Sequence, residues 1–281
     1  MWLTGLPLYS VLLLCIGFLA SCGIPIQPVP PPIKTLETST EYFKEGKLHF
    51  DSGRFVEAQR YLLEAIRLDP NNQPARVLAG VTWAKLGKAS NARREFERAV
   101  EIHKDTADGE TAQAWLKRLE QPLPLAIFPF ENIAKNSGYG VERLSYQALY
   151  RQLFESGLYS IIDERQLGFG SSRKGSRQSQ ACQVAREKGA RIAMLGIIGD
   201  FQLVQDKPPP LYLGERVNTF YAAALKVSLQ VYETENCRSV NTFTKSAVKR
   251  QIPDRTRDVA LQQIVDSVFQ QLALNIHATL M

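Results

Sequence analysis

Residues 41–74 read EYFKEGKLHFDSGRFVEAQRYLLEAIRLDPNNQP, and residues 75–108, which read ARVLAGVTWAKLGKASNARREFERAVEIHKDTAD, follow the same pattern. Gly46 recurs as Gly80 and Gly53 recurs as Gly87, each shifted by 34 residues. The same shift relates three further pairs of positions, namely Ala58 to Ala92, Ala65 to Ala99 and Leu62 to Phe96. A fixed period of this length predicts helix–turn–helix units that stack to share one core.

The small residues of the repeat have a physical role. Gly46 and Ala58 are expected where the two helices of a hairpin cross closely, with Leu62 filling the space beside them. Gly53 is expected in the turn of the first hairpin, and Asp69-Pro70-Asn71-Asn72 is expected to end its second helix. Two repeats leave one apolar face open. The sequence therefore predicts a further amphipathic helix at residues 109–121 that covers this face.

This pattern resembles the tetratricopeptide repeat, whose small, aromatic, Ala, bulky, Ala and Pro positions are met by Gly46, His49, Ala58, Leu62, Ala65 and Pro70. The second copy departs from the family at Lys104, where Pro is expected. The resemblance implies a concave face formed by the first helix of each unit. Its residues would be Phe43, Lys47, Phe50, Val77, Val81 and Lys85. Two interpretations remain open: the groove binds a partner peptide, or it docks against the rest of this chain.

The N-terminal segment, Met1–Ser21, is apolar and carries no charged residue. Its end, Leu19-Ala20-Ser21-Cys22-Gly23, resembles the lipobox of bacterial lipoproteins, although no Lys or Arg precedes the apolar run. The resemblance implies a signal peptide at residues 1–21 and a Cys22 that carries diacylglycerol and palmitate. Gly23 stands where Asp would signal inner-membrane retention, which implies an outer-membrane anchor facing the periplasm. The alternative is an uncleaved anchor helix with an incidental Cys.

Residues 22–38 are rich in proline, most densely in Ile24–Ile33. Proline fixes φ and removes a backbone donor, so this segment predicts an extended, semi-rigid stalk between the anchor and a repeat domain at residues 39–121. A proline-motif ligand for a partner is the alternative.

Beyond Gln121-Pro122-Leu123-Pro124 the hydrophobic period changes, and residues 122–281 alternate short strands with helices. The order strand–helix–strand–helix–strand–strand–strand–helix predicts an α/β sandwich with a mixed sheet. A helix at 141–156 is expected to turn Phe154 inward, and Gly196 and Gly199 predict a bulge or a close crossing in a long strand. A closing helix at 254–280 is expected to bury Val259, Ile264, Val265, Val268, Phe269, Leu272 and Leu274.

Three segments of this second region, AIFPFEN at 126–132, LFESGLYSIIDER at 153–165 and KGARIAMLGIIG at 188–199, resemble the CsgG-like periplasmic domain of curli secretion. Relatives of that domain include the amino-terminal domain of TolB and lipoprotein activators of penicillin-binding proteins. A secretion pore needs membrane-spanning strands of about 9–11 alternating residues. The insertion at 205–217 is polar, rich in proline and too short for such a hairpin. A self-sufficient channel is therefore not expected.

The sequence contains no catalytic constellation, so we expect neither an enzyme nor a cofactor. His49, His103 and His277 each stand alone, without neighbours at metal-ligand spacing. Arg173, Lys174 and Arg177 concentrate positive charge in a loop, which either meets phospholipid or an acidic partner or is simply solvated. Cys15 would leave with the signal peptide and Cys22 would be lipidated. Cys182 and Cys237 remain as a possible disulfide.

The composition fits a globular protein, since 44% of the 281 residues are hydrophobic and 22% are charged. A net charge of +6 suits contact with acidic surfaces and does not indicate nucleic acid. The favoured hypothesis is a non-catalytic, lipid-anchored adapter that recruits or regulates envelope-assembly proteins through its repeats and its second domain. The alternative hypothesis is a subunit of a homo-oligomeric secretion or surface-assembly channel. The two differ in stoichiometry, a monomer with a partner against a closed ring.

Overall fold

The computed structural model describes residues 36–134, 140–162, 164–168, 176–206, 220–253 and 257–281. The predicted signal peptide, Cys22 and most of the predicted stalk lie outside these residues, as do Arg173 and Lys174 of the basic loop. Residues Leu36–Met281 form one compact unit. None of the helices within the described ranges combines the length and the apolar character that a membrane crossing requires.

The repeat region folds as five consecutive helices. They are α1 (Ser39–Asp51), α2 (Phe55–Leu68), α3 (Gln73–Lys85), α4 (Ala89–Ile102) and α5 (Ala107–Glu120). The first two form one hairpin, the next two form the second hairpin, and α5 packs on α4. The covering helix that two repeats require is therefore present.

The positions of the repeat glycines show why they must be small. A Cβ atom on Gly46 would lie 2.8 Å from Cγ of Leu62, and one on Gly80 would lie 2.6 Å from Cε1 of Phe96. Both distances are shorter than any ordinary carbon–carbon contact, so the helices of each hairpin can approach this closely only at glycine. The predicted close crossings are confirmed in both repeats.

The second region is built on one six-stranded mixed sheet. Its strands are β1 (Leu123–Ile127), β2 (Glu131–Asn132), β3 (Tyr159–Ile162), β4 (Ile192–Asp206), β5 (Phe220–Glu233) and β6 (Ser239–Pro253). The spatial order is β3-β1-β4-β5-β6, and β2 pairs with β4 beyond the end of β1. Pairs among β1, β2, β3 and β4 are parallel, whereas β4, β5 and β6 form an antiparallel meander.

The two glycines inside β4 have separate roles. The register with β5 shifts between Ile198 and Asp200, so the predicted bulge lies at Gly199. A Cβ atom on Gly196 would lie 2.2 Å from the ring of Phe130, so Gly196 provides the predicted close approach.

In the described part of this region four helices accompany the sheet: α6 (Val141–Glu155), α7 (Glu164–Leu167), α8 (Arg177–Glu187) and α9 (Arg257–Leu280). Helices α6 and α9 pack together over one face, and α8 covers part of the other face. Three of the residues expected to face inward do not: Phe154 is 62% exposed, Val259 48% and Leu274 39%. Phe154 instead forms the exposed end of a row of stacked aromatic rings along α6, whose other members, Tyr150 and Tyr146, are half-buried against the core.

The helical repeat and the sheet share one hydrophobic core. A single cluster of buried side chains runs from Phe96 of α4, through Leu149 of α6, to Phe269 of α9 and Val227 of β5. The predicted fold class, a helical repeat followed by an α/β region with a mixed sheet, is confirmed. The shared core couples the two halves thermodynamically, since neither can lose its packing without exposing apolar surface of the other.

Candidate protein-binding groove

Three of the six residues predicted for the concave face lie on α1 and remain accessible. Phe43 and Phe50 are half-buried, and the Phe50 ring meets the edge of Phe55 with its centroid 5.5 Å away. The ammonium group of Lys47 lies 2.9 Å from a carboxylate oxygen of Asp51, and 56% of its side chain is exposed. This half of the groove therefore presents aromatic surface beside a solvated ion pair.

The three residues on α3 are engaged by the same chain. Val77 is buried, and Val81 packs against the core shared with the sheet. The ammonium group of Lys85 donates a hydrogen bond to the carbonyl oxygen of Ala278 in α9, at 2.7 Å. Partial burial, with a smaller effect from the positive charge of Arg118, lowers the pKa of Lys85 below its usual value. The α3 half of the groove is thus a docking site for the last turn of α9.

A second cation from the repeat region holds the same helix end. The guanidinium of Arg118, in α5, donates to the carbonyl oxygen of Leu280 at 2.8 Å and lies 4.9 Å from the centre of the Trp115 ring. Trp115 in turn stacks on Phe96, with 5.6 Å between ring centres. The final carbonyl groups of a helix lack intrahelical partners and carry partial negative charge. Lys85 and Arg118 supply both hydrogen-bond donors and positive charge to the C-terminal end of α9.

A buried aromatic pair adjoins this contact. His277 of α9 stacks on Tyr159 of β3, and Nδ1 of the imidazole lies 3.0 Å from the tyrosine hydroxyl, at hydrogen-bonding distance. Burial, with a smaller contribution from the charge of Lys88, lowers the pKa of His277 to about 4. Burial also raises the pKa of the Tyr159 phenol well above its usual value. Both side chains are therefore neutral at pH 7.

The His277 ring also lies against the turn of the second repeat. Gly87 has φ +72°, and a Cβ atom there would lie 2.5 Å from both Cδ2 and Nε2 of His277. Gly53, the equivalent turn glycine of the first repeat, has the same φ of +72°. A Cβ atom there would have no neighbouring atom within 4 Å. Both turns therefore favour glycine because of their left-handed backbone conformation. Gly87 must in addition be small because the His277 ring lies against it.

A cavity extends the groove between the two hairpin turns. It has a volume of about 310 Å³ and lies between the turn segment Gly53–Glu57, Lys85 and Leu86 of the repeats, and Leu274, Asn275 and Ala278 of α9. Val56, in this lining, is 53% exposed. The cavity is therefore an open, largely apolar hollow where α9 stops covering the repeats.

The remaining candidate residues lie away from the groove. Arg177, at the start of α8, donates to the carbonyl oxygen of Pro129 at 2.6 Å and forms an ion pair with Glu131. Its charge thus attaches α8 to the segment that leads from β1 into β2. Cys182 of α8 and Cys237 of the β5–β6 turn are joined as a disulfide, with 2.01 Å between the sulfur atoms. Within the described ranges, no cluster of His, Cys, Asp and Glu is arranged to hold a metal ion.

The sequence did not indicate that His277 and Arg118 lie beside the groove. His277 looked isolated because its partner Tyr159 is 118 residues away. Arg118 is 162 residues from the carbonyl group that it binds. The one local signal was the recurrence of glycine at 87, which marked a turn without revealing what packs against it.

Comparison with protein families bears on the repeat region alone. The family model described as Tetratricopeptide repeat matches residues 49–116. This span runs from the end of α1 to the middle of α5, so it contains the α3 half of the groove. Comparison with curated protein sequences finds no match to this chain.

Three solved structures show a distant likeness. The PelC dodecamer from Paraburkholderia phytofirmans is 13% identical over 54% of this chain and 88% of that chain, with a TM-score of 0.36. The LpoB C-terminal domain from Escherichia coli is 15% identical over 45% and 83%, with a TM-score of 0.32. Lipoprotein GNA1162 from Neisseria meningitidis is 10% identical over 54% and 99%, with a TM-score of 0.35. At these TM-scores the likeness does not define the role of this chain.

Proposed function

We propose that this protein is a non-catalytic, lipid-anchored adapter of the bacterial envelope that binds a partner protein in the open half of its repeat groove. The observation that carries the proposal is the division of the groove. The α3 half is taken by α9 of the same chain, whereas Phe43, Lys47 and Phe50 of α1 and the adjoining cavity stay accessible. A helical or extended segment of a partner would continue the surface that α9 begins.

The anchor and the location form the finer part of the proposal. They rest on the lipobox resemblance at Leu19–Gly23, which assigns Cys22 as the lipidated residue and the outer membrane as the destination. The resemblance of residues 125–280 to CsgG-like and TolB amino-terminal domains supports a periplasmic role. With a lipid anchor and a stalk, the repeat groove would work at a short distance from the membrane surface.

Mass spectrometry of the detergent-extracted full chain tests the anchor. We expect an N-terminal peptide that begins at Cys22 and carries the mass of its acyl groups. An intact Met1 would contradict the assignment of a lipoprotein, and the location would be withdrawn with it.

Site-specific photocrosslinking in intact cells tests the groove. We expect Lys47→p-benzoylphenylalanine to give a discrete crosslinked partner that is absent when the same group replaces Leu63, which is 38% exposed on α2. The two positions differ in the helix that carries them, so equal crosslinking would refute binding at the groove. Light scattering of the extracted protein addresses the alternative, because a closed ring of many copies would favour a channel subunit instead.

A further inference from the structure

Strand β6 forms one edge of the sheet over its whole length. It pairs with β5 on one side, from Ser239 opposite Tyr232 to Pro253 opposite Phe220, and no strand of the described residues pairs with its other side. Its 15 residues extend for about 50 Å. The opposite edge of the sheet, β3, has four residues. An exposed edge as long as β6 is a template for another strand unless side chains protect it.

The backbone of β6 shows which groups face away from β5. The N–H of Thr242 donates to the side-chain oxygen of Asn241 at 2.8 Å and so does not belong to the β5 ladder. The pairing with β5 is regular from Asn241 to Lys249. Because alternate residues of an antiparallel strand point their backbone groups to the same side, Thr244, Ser246 and Val248 also turn their N–H and C=O groups outward.

The side chains at these outward positions do not cover the edge. Thr244, Ser246 and Val248 are all exposed, and Val248 is 67% exposed. Serine and threonine are short, and the hydroxyl of Thr244 lies 3.0 Å from that of Ser228 on the neighbouring strand, across the sheet face. An incoming strand would therefore find outward backbone groups about every 7 Å, flanked by small side chains.

The edge is positively charged. Between Ser239 and Pro253 the sequence has Lys245, Lys249 and Arg250 and no acidic residue. Lys245 and Lys249 occupy the sheet face that carries α9, and the ammonium group of Lys249 lies 3.4 Å from the carbonyl oxygen of Gln263 in that helix. The carboxylate of Asp266, in the next turn of α9, is bound to Arg151 instead. Asp266 therefore neutralises neither lysine, and both positive charges, including that of Lys249 beside the neutral carbonyl group of Gln263, remain available to an acidic ligand at the rim.

This charge distinguishes between possible occupants. Two copies of β6 placed edge to edge would bring together two strands that each carry three positive charges and no negative charge, and like charges close together on neighbouring strands are destabilising. A strand with acidic side chains would instead pair with Lys245 and Lys249. These lysines are four residues apart on one face, so the matching acids would also be spaced by four in an extended partner.

We propose that the edge of β6 binds an extended acidic segment of a partner protein, which adds to the sheet as a seventh strand. Backbone hydrogen bonds to the outward groups of Thr244, Ser246 and Val248 hold the segment, and its carboxylates meet Lys245 and Lys249. This surface lies on the sheet and does not depend on the repeat groove.

Fluorescence anisotropy with the full chain tests the proposal. The probe is a fluorescein-labelled nine-residue peptide in which Glu alternates with Val and Thr, and the control is the same peptide with Lys in place of Glu. We expect the Glu peptide to bind at least about tenfold more tightly than the Lys peptide, and to bind more weakly as salt is raised. Equal binding of the two peptides, or no binding of the Glu peptide, would overturn the proposal.

Two matched variants separate backbone pairing from charge. Ser246→Pro removes one outward N–H and leaves the β5 ladder intact, whereas Ser246→Ala keeps that N–H. We expect the proline variant to lose about tenfold in affinity and the alanine variant to bind like the unchanged chain, with circular dichroism showing that both are folded. The charge reversal Lys245→Glu with Lys249→Glu should transfer the preference to the Lys peptide, and it keeps the test valid if the proline variant misfolds. Unchanged peptide preference in that variant, or a dimer of the full chain that Ser246→Pro dissociates, would refute an acidic partner at this edge.

Discussion

Replacing each of the two turn glycines by alanine tests how tightly the repeat is joined to α9. Gly53 and Gly87 hold equivalent places in the repeat and share a φ of +72°. The backbone cost of alanine should therefore be the same at both. Their surroundings differ, because a Cβ on Gly87 would lie 2.5 Å from two atoms of His277 and a Cβ on Gly53 would contact nothing within 4 Å.

The expected magnitudes follow from these two contributions. Alanine in the left-handed region costs about 1–2 kcal/mol, which is the whole cost expected for Gly53→Ala. At Gly87 the methyl group also overpacks a ring that has little room to move, since His277 is 3% exposed and is stacked on Tyr159. Overpacking of a tight core adds about 1–3 kcal/mol. We therefore expect Gly87→Ala to lower the free energy of unfolding by about 2–5 kcal/mol in total.

Urea unfolding of both variants, followed by circular dichroism, measures the difference. The same pair of substitutions is then made in a His277→Ala background, where the smaller side chain leaves room for the methyl group. There we expect the excess cost at Gly87 to disappear, so that the two glycines become equivalent. Equal costs in the unchanged chain, or an excess at Gly87 that persists without His277, would refute the assigned contact.

Three further perturbations probe other buried interactions. The pKa of His277 in the folded state is about 4, below its usual 6.5, so the stability that this residue contributes is present above pH 6.5 and is lost as the pH falls toward 4. Between pH 7 and pH 5 we expect the free energy of unfolding, measured with urea, to fall by about 2 kcal/mol. This loss should be absent in His277→Gln. Cys182 and Cys237 are 55 residues apart, and the loop-entropy relation predicts that a disulfide closing such a loop stabilises the folded state by about 4 kcal/mol. Urea unfolding of the oxidised and reduced chains measures this difference. An unchanged midpoint after reduction would contradict the expectation. Arg76 and Glu95 form an ion pair at 2.9 Å, and both side chains are largely buried. Glu95→Ala leaves the buried guanidinium without its ion-pair partner and should lower the free energy of unfolding by about 3 kcal/mol in the same assay. Adding Arg76→Leu should recover part of this loss.

The repeat could be predicted in detail because its determinants are local. Gly46 and Gly80 stand 34 residues apart, and the structure places each against the bulky residue that the same pattern supplied, Leu62 or Phe96. The mixed sheet was predictable for a similar reason, since strand alternation in β5 and helical spacing in α9 are visible within a few residues. Gly199 even marked the bulge.

Where the pattern failed, it had assigned a residue to an apolar face at a point that no neighbouring element covers. Phe154 has the helical spacing of a core residue, but it lies at the exposed end of the row of stacked rings that it forms with Tyr146 and Tyr150. Leu274 follows the apolar stripe of α9 but lies at the open cavity, where the repeats no longer cover the helix. Periodicity tells which residues share a face, and it does not tell where the covering element stops.

The groove was the least predictable feature for the same reason. The six concave residues could be assigned by resemblance, but their division into an accessible α1 half and an internally docked α3 half depends on α9. Lys85 and the carbonyl group of Ala278 are 193 residues apart, and no local pattern links them. The sequence left two occupants of the groove open, a partner or the rest of this chain. The structure shows that α9 of this chain docks on the α3 half, and we propose that a partner binds the α1 half.

The distance in sequence between Lys85 and Ala278 also sets an order of events during synthesis. The second repeat leaves the ribosome long before α9 does, and at the usual rate of about 5–20 residues per second the interval lasts on the order of 10–40 s. During this interval the nascent chain displays Val77 and Val81 without their cover. The same face that later secures the repeat is thus exposed to solvent for a short time, until α9 has been synthesised.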